Sequence, residues 1–116
     1  MSKGELLMTT DEKVELARQL ADQLRIKRGE WQRWATYFRR TGDLGKALQL
    51  AEHQGSSPAV RHDPQTAAQK IAEVIGQHRA CLEQLSPGDL QEVFSYVGRW
   101  LEYLSRKVQQ QRRGRK

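Results

Sequence analysis

RIKRGEWQRWATYFRRTGDLGKALQL, residues 25–50, holds two of the chain's three tryptophans and its densest run of arginines. Trp31, Trp34, Ala35 and Phe38 recur at i, i+3, i+4 and i+7, which is one face of an α-helix. Arg33 and Arg40 fall on the opposite face, with Tyr37 beside them. Gly42 stops this helix and Asp43 caps the next, whose inner face carries Leu44, Ala47, Leu48 and Ala51. One helix thus presents an aromatic surface for packing and a basic surface for a partner.

Working outward from this pair, the other segments also read as helices. Upstream, Thr9 with Glu12 three residues on forms a capping box, and Asp11 adds charge suited to a helix start. Val14, Ala17, Leu20, Ala21 and Leu24 make one apolar stripe. The spacing predicts a first helix from about Thr10 to about Arg28, broken at Gly29; without that break, helices 1 and 2 fuse into a rod. Residues 1–8 read as a flexible N-terminus. Helix 2 is expected over Glu30 to Arg40, and helix 3 from Asp43 to His53 or Gln54. Gly55 is placed as its C-cap, and GSSPAVRHD (55–63) reads as the one long loop, a candidate mobile contact element.

Asp63-Pro64 opens a fourth helix with a capping acid and a proline at the first helical position. Ala68, Ile71, Ile75, His78, Leu82 and Leu85 then hold one stripe to Leu85, although Gly76 weakens it by about 1 kcal/mol relative to Ala. Ser86-Pro87-Gly88-Asp89 repeats the start signal. Helix 5 follows, with Leu90, Val93, Phe94, Val97, Leu101, Leu104 and Val108 inward and Tyr96, Trp100 and Tyr103 as a second stripe, read as a protein-contact face. QQQRRGRK (109–116) has nothing to bury and reads as a disordered basic tail. No alternating strand pattern occurs. The expectation is all-α: a single compact bundle of about five helices over residues 9–108.

The chain has 116 residues, 37% of them hydrophobic and 29% charged, with a formal net charge of +6. The charge is unevenly placed. Residues 25–40 carry six Lys/Arg against Glu30 alone, and residues 99–116 carry seven against Glu102 alone, while the remainder is mildly acidic. Two basic blocks on an acidic background point to a polyanion-facing surface. A single cysteine excludes an internal disulfide. No run reaches the roughly 20 apolar residues of a membrane span, and MSKGELLM is too short and polar for a signal peptide, so a soluble, cytoplasmic protein is expected.

Catalytic signals are sparse: there is no Gly-rich phosphate loop, no GxSxG and no obligate acid pair, so no enzyme and no cofactor are expected. His78 and Cys81 stand i, i+3, with His53 and His62 elsewhere, but without zinc-finger spacing. They read as a hydrogen-bonded core histidine and a small buried residue rather than metal ligands. Nucleic acid fits better. Arg25, Lys27, Arg28, Arg33, Arg39 and Arg40 surround helix 2 as phosphate contacts, with Tyr37 as a stacking platform for an unpaired base. Arg112, Arg113, Arg115 and Lys116 form an auxiliary basic arm. A helix-turn-helix repressor is disfavoured, because helix 3 offers only Lys46 to read a groove.

Trp31, Trp34, Ala35, Phe38, Gly42-Asp43 and Ala47 resemble a tetratricopeptide helical pair in spacing. The match covers about 25 residues, and no second copy follows at a period of about 34. This resemblance implies a protein-interaction adaptor meeting an acidic partner. In length, helix content and arginine-rich helices the whole chain is similar to the small helical subunits of CRISPR effector complexes. That resemblance implies a non-enzymatic subunit binding RNA or single-stranded DNA within a larger assembly.

Overall fold

The computed structural model describes residues 9–56 and 62–113. In order these form α1 (Thr10–Leu24), α2 (Arg28–Thr41), α3 (Leu44–Ser56), α4 (His62–Gln77), α5 (Arg79–Leu82) and α6 (Pro87–Arg113). The fold is an all-helical compact bundle, and no strand occurs among the described residues. The expected flexible segment 1–8, most of the expected loop (57–61) and residues 114–116 lie outside the described part. None of the described helices is long and apolar enough to cross a membrane.

The capping box forms as the sequence requires. The Thr9 amide donates to Glu12 Oε1 at 2.9 Å, and the Glu12 amide donates to Thr9 Oγ1 at 3.2 Å. These bonds to Thr9 hold the Glu12 carboxyl below its ordinary pKa. The Asp43 carboxylate accepts the Lys46 amide at 3.1 Å and the Ser86 hydroxyl accepts the Asp89 amide at 3.2 Å, starting α3 and α6. Gly42 adopts φ 65°, the left-handed turn that ends α2, and its N–H donates to Phe38 O.

Four expectations about the elements are corrected. First, the break between α1 and α2 lies at Arg25, not Gly29, which sits inside the first turn of α2. Arg25 takes φ 48°, a conformation costing a non-glycine residue about 1 kcal/mol or more. Its exposed guanidinium folds back on Asp22, with Nη2–Oδ1 at 2.6 Å. Second, Gly55 is not a C-cap. It is a buried residue within α3, because α4 crosses there: a Cβ on Gly55 would stand 2.9 Å from Gln69 Cγ and 3.1 Å from Gln69 N.

Third, the expected continuous helix to Leu85 is two helices. His78, at φ −98° and ψ 6°, separates α4 from the single turn of α5, two residues after Gly76, and its ring is hydrogen-bonded to Gln23 of α1 at 3.0 Å. The stripe stays in phase across the kink, with Ile71, Ile75, Leu82 and Leu85 all buried. This raises the count among the described residues to six. Cys81, expected inside, is exposed on α5. Fourth, α6 continues to Arg113, so residues 109–113 are helical rather than a disordered tail. The reason is local: Gln109 to Arg113 are good helix formers, and no breaker occurs before Gly114.

The core is centred on Phe94. Its ring lies 5.3 Å from Trp31, 5.3 Å from Trp34 and 5.2 Å from Phe38, mostly edge to face. Both indole N–H groups are satisfied by backbone, Trp31 Nε1 on Phe94 O at 2.9 Å and Trp34 Nε1 on Ala47 O at 2.7 Å. The bundle is built from two closely associated pairs, α3 with α4 and α1 with α6, and α2 lies across both. Lys13 joins the starts of α1 and α6, reaching Asp89 at 2.8 Å and Glu92 at 3.1 Å. These two acceptors raise the Lys13 pKa above its ordinary value.

Candidate nucleic-acid interface

Successive residues of α2 rotate by about 100°. With Trp31, Trp34 and Phe38 turned inward, Arg28, Gln32, Thr36 and Arg39 come to one flank, and Arg33 and Arg40 face outward. The first row looks at α6. There Gly88, Gln91, Ser95, Gly98 and Arg99 repeat at three- and four-residue steps and share one side of that helix. Arg28 Nη1 meets Glu102 Oε2 at 2.6 Å, whereas Trp31 and Phe38 further along α2 meet Phe94, so the two helices run antiparallel. Between the rows lies a groove of about 670 Å³. Of the residues that line it, Trp31, Phe38, Phe94 and Gly98 are buried, while Gln32, Arg39, Gln91, Ser95 and Arg99 are exposed.

The ion pairs divide the arginines. Arg18 is paired with Glu15, Arg25 with Asp22, Arg79 with Glu83, and Arg28 and Arg106 share Glu102. Glu83 also raises the Arg79 pKa further. Arg33 reaches Glu30 only at 3.8 Å. Among arginines with described side chains, Arg39, Arg40 and Arg99 have no carboxylate partner. Arg39 and Arg99 line the same groove. The Arg99 guanidinium lies over the Tyr96 ring, 5.7 Å from its centre. Glu92 is the one acid in the lining, and it shares Lys13 with Asp89.

The residues expected to bind nucleic acid are therefore not one surface. Arg33, Arg39 and Arg40 are exposed on α2, and Tyr37 is half-buried against the core. Lys27 is exposed at the N-cap of α2. Arg25 and Arg28 lie at that same end, each engaged by an acid. Arg112 and Arg113 belong to the last turn of α6, far along the helix from the groove, and Arg115 and Lys116 lie outside the described residues. On the contact stripe, Tyr96 and Trp100 are half-buried and Tyr103 is 53% exposed, its ring edge-on to Trp100 at 5.6 Å. Among the described residues no three His, Cys, Asp or Glu side chains converge as a metal site.

No motif in the sequence marks Gln32, Thr36, Gln91, Ser95 or Arg99 as site residues. A signal was present on α2, where Arg28, Gln32, Thr36 and Arg39 recur at helical steps. It lacked meaning until a second helix supplied the facing row. No protein-family model, no curated protein and no solved structure matches this chain.

Proposed function

We propose that this protein is a non-enzymatic nucleic-acid-binding subunit of a larger nucleoprotein complex, engaging RNA or single-stranded DNA through the basic side of α2. The observation behind the reading is the placement of uncompensated charge. Most described arginines are answered by an acid, whereas Arg39 and Arg40 on α2 and Arg99 on the neighbouring helix are not. Unpaired guanidinium groups suit phosphate oxygens, which accept two parallel N–H bonds. Arg33, Arg39 and Arg40 contact phosphates in this reading, Tyr37 stacks on a base, and Lys27, Arg25 and Arg28 extend the surface. The C-terminal Arg112, Arg113, Arg115 and Lys116 add an electrostatic arm. The resemblance to small helical subunits of CRISPR effector complexes, in length, helix content and arginine-rich helices, motivates the same reading.

The test is fluorescence anisotropy with labelled single-stranded RNA, single-stranded DNA and duplex DNA at about 50 and about 200 mM salt. Binding is expected with a steep salt slope, and Arg33→Glu with Arg39→Glu and Arg40→Glu should abolish it. Absence of binding by all three probes at the lower salt removes the reading.

A second reading rests on Tyr103, exposed beside Trp100 on the opposite part of α6. There the chain is an interaction adaptor, and its basic blocks meet an acidic protein. Trp100→Ala with Tyr103→Ala separates the two, since it weakens assembly with a partner protein and leaves nucleic-acid affinity unchanged.

A further inference from the structure

We propose that the groove between α2 and α6 is the seat of a single strand, holding a short run of unpaired nucleotides with phosphates on Arg39 and Arg99. This rests on the nucleic-acid reading above and narrows it to one site and one form of nucleic acid. Outward-facing Arg33 and Arg40 become secondary.

Shape is the first argument. A duplex presents a convex ridge of phosphates, which suits an open basic face, whereas a concave site needs a ligand thin enough to enter. The groove's volume of about 670 Å³ falls within the range of roughly 300–1,000 Å³ typical of sites that enclose small organic ligands. Its depth comes from missing side chains. Gly98 is buried with Trp31 Cδ1 only 3.6 Å from where a Cβ would stand, so the backbone of α6 and the edge of Trp31 lie close together beneath the opening.

Chemistry is the second argument. Because α2 and α6 are antiparallel, Arg39 lies toward the Gly88 end and Arg99 toward the other. From Gln91 to Arg99 the span along α6 is about 12 Å at 1.5 Å per residue. Both cations lack a carboxylate partner, and the Arg99 guanidinium lies over the Tyr96 ring, 5.7 Å from its centre. Between them stand Gln32 and Gln91, each with an amide donor and acceptor, and the hydroxyls of Thr36 and Ser95. Such groups complement base edges and ribose hydroxyls, which are accessible only in an unpaired strand. The one lining acid, Glu92, is bonded at 3.1 Å to Lys13, which Asp89 shares at 2.8 Å, so its charge is offset only in part and the two arginines outnumber it.

The experiment compares three full-length variants with the wild type by anisotropy, using fluorescein-labelled single-stranded RNA and DNA of mixed sequence and the matching duplex. Thermal melts followed by circular dichroism confirm the fold of each. Arg39→Gln with Arg99→Gln should weaken single-strand binding roughly 10- to 100-fold, and should reduce the salt slope by about 1.4, because each single-strand phosphate contributes about 0.7. Ser95→Trp changes no charge and fills the groove, so a comparable loss is expected if the strand enters it. Arg33→Gln with Arg40→Gln should lose less than either. Competition with adenosine monophosphate separates a strand site from a pocket for free nucleotides, and only the oligonucleotide should displace the probe efficiently.

If the wild type binds none of the nucleic acids, the broader reading falls and the groove assignment with it. If it binds, but Ser95→Trp retains wild-type affinity and Arg33→Gln with Arg40→Gln abolishes it, the groove assignment alone is overturned. Duplex bound more tightly than single strand, or adenosine monophosphate competing as well as the oligonucleotide, overturns it equally.

Discussion

The two sides of α2 differ in how closely helices approach, and the difference separates stability from surface. On one side, α3 and α4 meet so tightly that Gly55 leaves no room for a single methyl group against Gln69, whose side-chain amide also donates to Gly55 O at 2.7 Å. On the other, α2 and α6 share an aromatic seam, and a groove runs beside it, lined by exposed polar side chains such as Gln32, Gln91 and Ser95. A glycine marks both places. At Gly55 it permits contact; at Gly98 a Cβ would meet Trp31 at an ordinary 3.6 Å. The same residue type therefore predicts opposite outcomes when replaced.

The comparison breaks most severely at the seam. Phe94→Ala removes the ring that touches Trp31, Trp34 and Phe38, and should cost about 3–5 kcal/mol in urea unfolding, since so rigid a site collapses poorly. Gly55→Ala should cost about 1–3 kcal/mol by the same assay, although Ala is intrinsically the better helix former. A neutral or stabilising result there would mean that α3 and α4 can move apart freely. Smaller is the alkaline effect at Lys13. Asp89 and Glu92 raise its pKa in the folded chain, so its contribution is complete below the ordinary lysine range and is lost as pH climbs through the raised value. The Tm gap between wild type and Lys13→Met should be constant from about pH 6 to about pH 9 and shrink above about pH 10.5. Smallest is Gly98→Ala, expected to stabilise by about 0.5–1 kcal/mol because the helix gains propensity without a clash. Destabilisation would show that the seam tolerates no added atom on this side either.

Much of the fold was legible because its signals are local. Thr9 with Glu12, Asp43 with Lys46, and Ser86 with Asp89 each close a helix start within a few residues, and Trp31, Trp34 and Phe38 can only be reconciled with one buried face. What escaped was tertiary. Gly29 looked like the stronger breaker, yet the left-handed turn falls at Arg25, whose guanidinium folds back on Asp22. Gly55 looked like a cap until Gln69 arrived from α4. His78 was expected to be hydrogen-bonded within the core, and its ring does bond Gln23, but the helix breaks there and the residue is only half-buried. Half the candidate site was legible too: the arginines of α2 were visible as a cluster. Which of them are neutralised, and that Arg99 completes a second wall, depends on pairs such as Arg28 with Glu102, separated by most of the chain.

The three indoles fall into two optical populations. Trp31 and Trp34 are sealed in the core and hydrogen-bonded to backbone, whereas Trp100 is half-open beside Tyr103. Iodide in solution should quench the emission of Trp100 and spare the other two. The chain therefore carries its own unlabelled reporter: a molecule settling on the Tyr103 side alters only the quenchable light, while loosening of the bundle first exposes the light that iodide cannot reach.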